Sequence, residues 1–159
     1  MEIVVDGVRL EDYEALCAVL DEGDAHHREA LPHIFQRPPG PVRSRAFLEA
    51  FIEDEHKAIF VARSSQGLVG AVEIEHKSVE GGGLFVGRSY AVVHGLTVAS
   101  CARRCGVGRA LMEEARAWAL GRGLGSVQLS VWAFNQGAID FYKQLGYEPT
   151  RMWMALDVD

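Results

Sequence analysis

The chain of 159 residues carries 22 acidic against 16 basic side chains, a net charge of −6, and 48% of it is hydrophobic. That length and balance suit one domain able to bury its own core, and the charge disfavours nucleic acid and anionic membrane, which both need a positive field, over a cationic small substrate. Three cysteines without a CxxC pair make no disulfide framework; with an acidic N-terminus unlike a signal peptide, and no apolar run near the roughly 20 residues that span a bilayer, they point to the cytoplasm.

Residues 3–10 alternate loosely and predict an edge strand. Residues 11–22 place Tyr13, Leu16, Val19 and Leu20 at helical spacing. The polar segment 24–44 predicts no regular element, and Pro38, Pro39 and Pro41 end any helix before them. A second helix is expected over 45–54, capped by Ser44, with Phe47, Leu48 and Phe51 on one face. Strands 57–63 and 68–77 are joined by a Ser-Ser-Gln-Gly turn. Gly81, Gly82 and Gly83 make a loose connection to a long strand, 88–98. The helix after Gly108 is the clearest element: Val107, Leu111, Ala115, Trp118 and Ala119 form one stripe, opposite Glu113, Glu114 and Arg116. A strand over 126–131 and a short helix over 136–145 follow, the helix ending at Gly146. Residues 151–158 alternate Met152, Met154, Leu156 and Val158 with Trp153 and Ala155, and predict a last strand. With no repeat and no second domain, this order predicts a mixed, twisted α/β sheet with helices on both faces.

The stretch Arg103-Arg104-Cys105-Gly106-Val107-Gly108-Arg109 opens that clearest helix. The first four N–H groups of a helix lack internal partners and attract anions. Glycines let a ligand approach the backbone, and arginines add charge-assisted hydrogen bonds. The local chemistry is that of a pyrophosphate cradle; the plainer alternative is a glycine loop that lets a helix pack closely. A dinucleotide fingerprint would need a third glycine where Leu111 stands, and the Gly-Lys-Ser/Thr of a nucleoside triphosphate loop is absent. No Gly-x-Ser-x-Gly elbow supports serine hydrolysis. Neither Cys101 with Cys105 nor His26, His27 and His33 completes a metal site.

The segment LTVASCARRCGVGRALMEEA resembles the acetyl-CoA motif of the GNAT superfamily of N-acetyltransferases, an apolar strand followed by Arg/Gln-x-x-Gly-x-Gly/Ala at a helix start. WAFNQGAIDFYKQLGYEP resembles the same family's later motif, through Asn135, Ala138, Phe141, Tyr142, Gly146 and Tyr147. The resemblance implies one N-acetyltransferase domain over residues 1–159, with a sheet of about six to seven strands. It implies acetyl-CoA as cofactor, its pyrophosphate on the amides of Arg103 through Arg109. Its pantetheine arm would pair with Leu96, Thr97 and Val98, with Asn135, Ala138 and Tyr142 across the opening. It also implies an amine acceptor, on a small molecule or a peptide, and admits a homodimer, since dimers are common among members.

Amine acetylation needs a base, because a free alkylamine has a pKa of about 10, a donor for the carbonyl oxygen, and an acid for the thiolate. The resemblance puts Tyr142 at the acid position, and the Val98 N–H is the donor we choose. Many members carry a glutamate where this chain has His94. Histidine titrates at about 6.5 and can serve as a base; on a regular strand it shares a face with Leu96 and Val98. Glu73 or Glu75, acting through a water, are the alternatives, and the polar face of a strand is the plain reading of either. Glu73, His27, His33, Phe35 and Trp132 are the residues expected to meet the acceptor. A domain that binds acyl-CoA without turnover is the rival reading.

Overall fold

In the computed structural model, which describes residues 2–158, the stripe expected after Gly108 becomes α3 (Val107–Gly121), with Leu111, Met112, Ala115, Trp118 and Ala119 buried. The helix lies across β2 (Lys57–Ser64), β3 (Gly67–Val79) and β4 (Arg88–Val98). Gly70 on β3 permits this approach, since a Cβ there would stand 2.9 Å from Val107 and 3.1 Å from Leu111.

The opposite face of the sheet is covered by α1 (Tyr13–Ala30) and α2 (Arg45–Glu53). Leu16, Leu20, Leu48 and Phe51 pack there on Ile59, Val61 and Ala71. Ser44 caps α2 as expected, accepting a hydrogen bond from Phe47 N at 3.1 Å.

The sheet has five strands in the order β1-β2-β3-β4-β5, beginning with β1 (Val4–Gly7) and ending with β5 (Val127–Leu129). Strands β1 to β4 are antiparallel neighbours, and β5 joins β4 in parallel through the α3 crossover. The last helix is α4 (Gln136–Gln144), which ends before Gly146 at φ +90°.

Three expectations are corrected. The sheet falls short of six or seven strands because residues 151–158 form none, and their side chains stand in solvent. Alternation reports which faces a strand could bury, but a strand forms only beside a partner edge. Next, α1 runs on to Ala30, through the polar stretch that predicts no element. Finally, β3 and β4 shift register: Glu73 pairs with Gly95 and Ile74 with Val93, so His94 is the extra residue of a β-bulge. The bulge breaks the face-sharing expected of His94, Leu96 and Val98. Leu96 and Val98 pack into the α3 core, while the His94 ring meets Glu75.

Among the described residues, no helix is long and apolar enough to cross a membrane.

Candidate functional site

Pairing between β4 and β5 ends at Val93 opposite Leu129, while β4 continues to Val98. Leu96, Thr97 and Val98 therefore pair with β3 on one side and present an open edge on the other. Donor direction alternates along a strand. Ala99 N bonds to Val69 O of β3 at 2.9 Å, so the N–H and C=O of Val98 point to the open side. The guanidinium of Arg103 donates to Val98 O from there at 3.2 Å.

The open edge leads into the turn before α3. Arg104 at φ +61° and Gly106 at φ +83° bend the chain so that the helix starts sharply. Arg103, Arg104, Cys105, Gly106 and Arg109 are exposed, and Val107 is anchored in the core. The first main-chain donor of the helix to find a partner is Ala110 N, bonded to Gly106 O at 3.0 Å. The N–H groups of Gly106, Val107, Gly108 and Arg109 have no protein partner among the described residues, and no side chain caps them. Gly108 also serves packing, because a Cβ there would meet the Phe141 ring of α4 at 3.2 Å.

Asn135 caps α4, its side chain accepting from Ala138 N at 3.1 Å. Tyr142 lies one residue beyond Phe141, its ring 5.7 Å from that of Tyr147. Burial raises the Tyr142 hydroxyl to about 12, reinforced by Tyr147, so the phenol keeps its proton at any ordinary pH.

On the α1 side lies a buried carboxylate, Glu73, 8% exposed. It faces Gly95, and the lack of a side chain there lets it lean over β4: a Cβ on Gly95 would sit 3.7 Å from Oε2. Burial raises its carboxyl above the usual range, and Arg43 opposes that effect. Arg43 bonds Asp24 at 2.9 Å and stands 3.4 Å from Glu73 Oε1. That second contact is an ion pair without hydrogen-bond geometry, so Oε1 is buried with no hydrogen-bond partner among the described residues. Such an oxygen is costly to leave unmet.

His94 is more exposed, and its Nε2 lies 2.6 Å from Glu75. Glu75 also accepts from Lys77 at 2.7 Å. Burial pushes the Glu75 carboxyl up, but Lys77 and His94 outweigh it and hold it below the usual range.

Two adjoining clefts share Asp24, whose partner Arg43 stands against Glu73. One, of about 370 Å³, is lined by Cys17, Asp21, Asp24, Arg37 and Arg43 with the proline-rich segment. The other, of about 510 Å³, is lined by Asp24, His27, Arg28, Phe35, Val42 and Trp132. Phe35 stands between His27 and Trp132, with ring centroids 5.5 Å from each, tilted against the first and edge-on to the second. The structure thus gathers His27, Phe35 and Trp132 around one cleft; Glu73 lines neither cleft and is linked to them through Arg43 and Asp24, while His33 is exposed and also lines neither. Asp24 and Arg43 are absent from the sequence-based set. They are nineteen residues apart and meet only through the tertiary fold, so local periodicity carries no signal for them. The closest approach of α1 fixes this side: a Cβ on Gly23 would stand 2.7 Å from Thr97 Oγ1, and Ser100 N donates to Glu22 at 2.8 Å.

A family model described as the acetyltransferase (GNAT) family matches residues 26–147. An uncharacterized N-acetyltransferase of Methanocaldococcus jannaschii is 43% identical over 61 residues, 38% of this chain; the match spans 27% of that relative's length. Among solved structures, a tetramutant of the BH1408 protein from Bacillus halodurans is similar with a TM-score of 0.92 at 18% identity, over 98% of this chain and 99% of that one. An aminoglycoside acetyltransferase from an uncultured soil metagenomic sample is similar with a TM-score of 0.69 at 15% identity, over 99% of this chain and 97% of that one. Likeness at these identities carries the fold.

Proposed function

We infer, from the premise that the chain belongs to the acetyltransferase (GNAT) family, that it is an acetyl-CoA-dependent N-acetyltransferase for a cationic amine, on a small molecule or a peptide. One observation carries this reading: the unpaired amides of Gly106 through Arg109 continue directly from the unpaired edge of β4. An anion-binding helix start joined to an open strand edge fits a ligand with a diphosphate at one end and an amide-bearing arm at the other. Gly106, with open space where a Cβ would stand, leaves room for the phosphates. The described residues make up a catalytic domain, and its free thiols, Cys17, Cys101 and Cys105, suit the cytoplasm.

Acetyl-CoA supplies the activated acyl group. Glu73 takes the proton from the acceptor ammonium, directly or through a water. Burial raises its basicity, and Arg43 keeps it ionised enough to act. The Val98 N–H, on the open side of β4, donates to the carbonyl oxygen. Tyr142 gives its proton to the departing sulfur. Asp21 and Asp24 are held by Arg28 and Arg43, at 3.1 and 2.9 Å, so the attraction for the acceptor's positive charge comes from the faces of Phe35 and Trp132. His94, bound to Glu75, orients this region.

Calorimetry with acetyl-CoA, followed by a free-thiol assay over a panel of diamines, amino sugars and short peptides, tests the reading. Binding with thiol release on at least one amine supports it. Binding without turnover favours the acyl-CoA sensor, and no binding removes the cradle.

A further inference from the structure

One turn of α1 is clamped to its surroundings at three consecutive residues. Glu22 accepts from Ser100 N at 2.8 Å, and a Cβ on Gly23 would stand 2.7 Å from Thr97 Oγ1. Asp24 accepts from Arg43 Nη1 at 2.9 Å. Tyr13, at the start of the same helix, bonds Arg43 O at 2.8 Å. Arg43 is therefore held to α1 by its main chain and by one tip of its guanidinium.

Glu73 meets what is left of that guanidinium. Arg43 Nε stands 3.4 Å from Oε1 without hydrogen-bond geometry, and Oε1 stays buried and unmet. Oε2 leans over Gly95 of β4. An arginine free to move beside a carboxylate closes a fork of two parallel hydrogen bonds on both oxygens. A fork left open beside a buried oxygen needs a cause, because the unmet oxygen costs stability. The guanidinium is planar and rigid, so the bond at Nη1 fixes where Nε points. Asp24 is the group that makes that bond.

We propose that Asp24 is a positioning residue for Glu73: by holding Arg43 at Nη1 it keeps the guanidinium at ion-pair distance from Oε1 and prevents it from closing over both carboxylate oxygens. Its consequence for turnover rests on Glu73 acting as the base, since a carboxylate gripped at both oxygens has no lone pair free for the acceptor's proton. The charged and titratable groups facing Glu73 are Arg43 from the segment before α2, Asp24 from α1 and His94 from β4, while its partner on β2 is Ile59. Arg43 and His94 lower the Glu73 carboxyl and Asp24 raises it. Loss of Asp24 removes a raising charge and releases a lowering cation, so both changes act downward.

The test is a carbon-13 NMR titration of the glutamate carboxyls in the full chain, with E73Q identifying the Glu73 signal. It needs neither coenzyme nor amine. D24A, in which alanine favours the helix, is expected to lower the Glu73 midpoint by about one pH unit. D24N keeps an oxygen for Nη1 and is expected to move it less. In an R43Q background, D24A is expected to shift the midpoint less than about half as far, because the effect runs through Arg43. In steady-state kinetics at neutral pH, D24A is expected to lower kcat about three- to tenfold and to leave the amine KM within about twofold. An unmoved midpoint in D24A overturns the proposal. Equal shifts with and without Arg43 overturn it as well, since Asp24 would then act by its own charge alone. A raised amine KM with an unmoved midpoint would make Asp24 an acceptor contact instead. Should D24A fail to fold, D24N, which still removes the charge, decides by the same titration. If D24A moves the midpoint but E73Q turns over normally, the Arg43 arrangement stands and the base assignment alone falls.

Discussion

Arg43 Nε stands 3.4 Å from Oε1 of Glu73, close enough to hold the charge and too poorly aligned to satisfy the oxygen. The proline-rich segment thus delivers a cation to the one buried carboxylate beside the open end of β4, steadied by Tyr13, whose hydroxyl bonds Arg43 O at 2.8 Å. Glu73 is poised as a base with an opposing charge as its counterweight. E73Q is expected to lower kcat by about 100-fold or more, with acetyl-CoA affinity unchanged by calorimetry. An unaltered kcat would move the base elsewhere. The pH profile carries the sign. Burial raises the Glu73 carboxyl and Arg43 lowers it, so R43Q is expected to move the acidic limb of kcat/KM to higher pH.

His94 invites a different expectation. Its Nε2 is held by Glu75 at 2.6 Å, and the bulge turns it away from the face of Leu96 and Val98. H94A is expected to lower kcat by less than about tenfold, in contrast with a true base, and to move the acidic limb slightly to higher pH, since His94 joins Arg43 in lowering the Glu73 carboxyl. A larger loss in steady-state kinetics would return the proton-accepting role to His94.

The parts legible in the sequence are those coded over short spans. The stripe of Val107, Leu111, Ala115 and Trp118 reads as a helix because each faces one sheet, and Ser44 reads as a cap because its oxygen serves Phe47 N. The cradle follows, since glycine torsions and orphan amides are local properties. The bulge at His94 is not local, because nothing in Val93-His94-Gly95 says which residue β3 will skip. The end of α1 was hidden for another reason. Its last turns meet aromatic rings, His26 and His27 against Phe134, instead of an aliphatic core that would impose a stripe. Arg43, in a segment with no periodicity, is assigned only by Asp24 and Glu73. The strand pattern of 151–158 is readable, yet among the described residues the segment joins no edge of the sheet.

Tyr142 is half-buried against Phe141 and Tyr147 and holds its proton up to about 12. Y142F keeps the ring and its packing while removing the proton. It is expected to lower kcat at least tenfold, with the melting temperature and acetyl-CoA affinity unchanged. In the wild type, kcat is expected to show no basic limb from this phenol below about pH 11. Wild-type turnover in Y142F would leave the tyrosine as packing alone.

Asp12 supports the frame on which the site stands. Its two oxygens receive both terminal nitrogens of Arg63, at 2.8 and 2.7 Å, and Oδ2 also accepts from Arg9 N at 2.8 Å. The pair ties the start of α1 to β2, and Asp6 shares the same guanidinium at 2.9 Å. The hydrogen bonds from Arg63 hold the Asp12 carboxyl below its usual value, against the pull of burial. A lowered folded pKa means the ionised form stabilises the fold. That stability is complete above the unfolded value of about 3.9 and is lost as the pH falls through the lower folded value. D12N leaves Arg63 with Asp6 as its remaining partner, which keeps the cost near about 2 kcal/mol at pH 7 rather than the larger loss of a wholly orphaned buried charge. Urea melts of wild type and D12N at pH 7 and pH 3 are expected to differ clearly at the first and to draw together at the second. A gap that stays constant with pH would mean that shape, not charge, makes this contact stabilising.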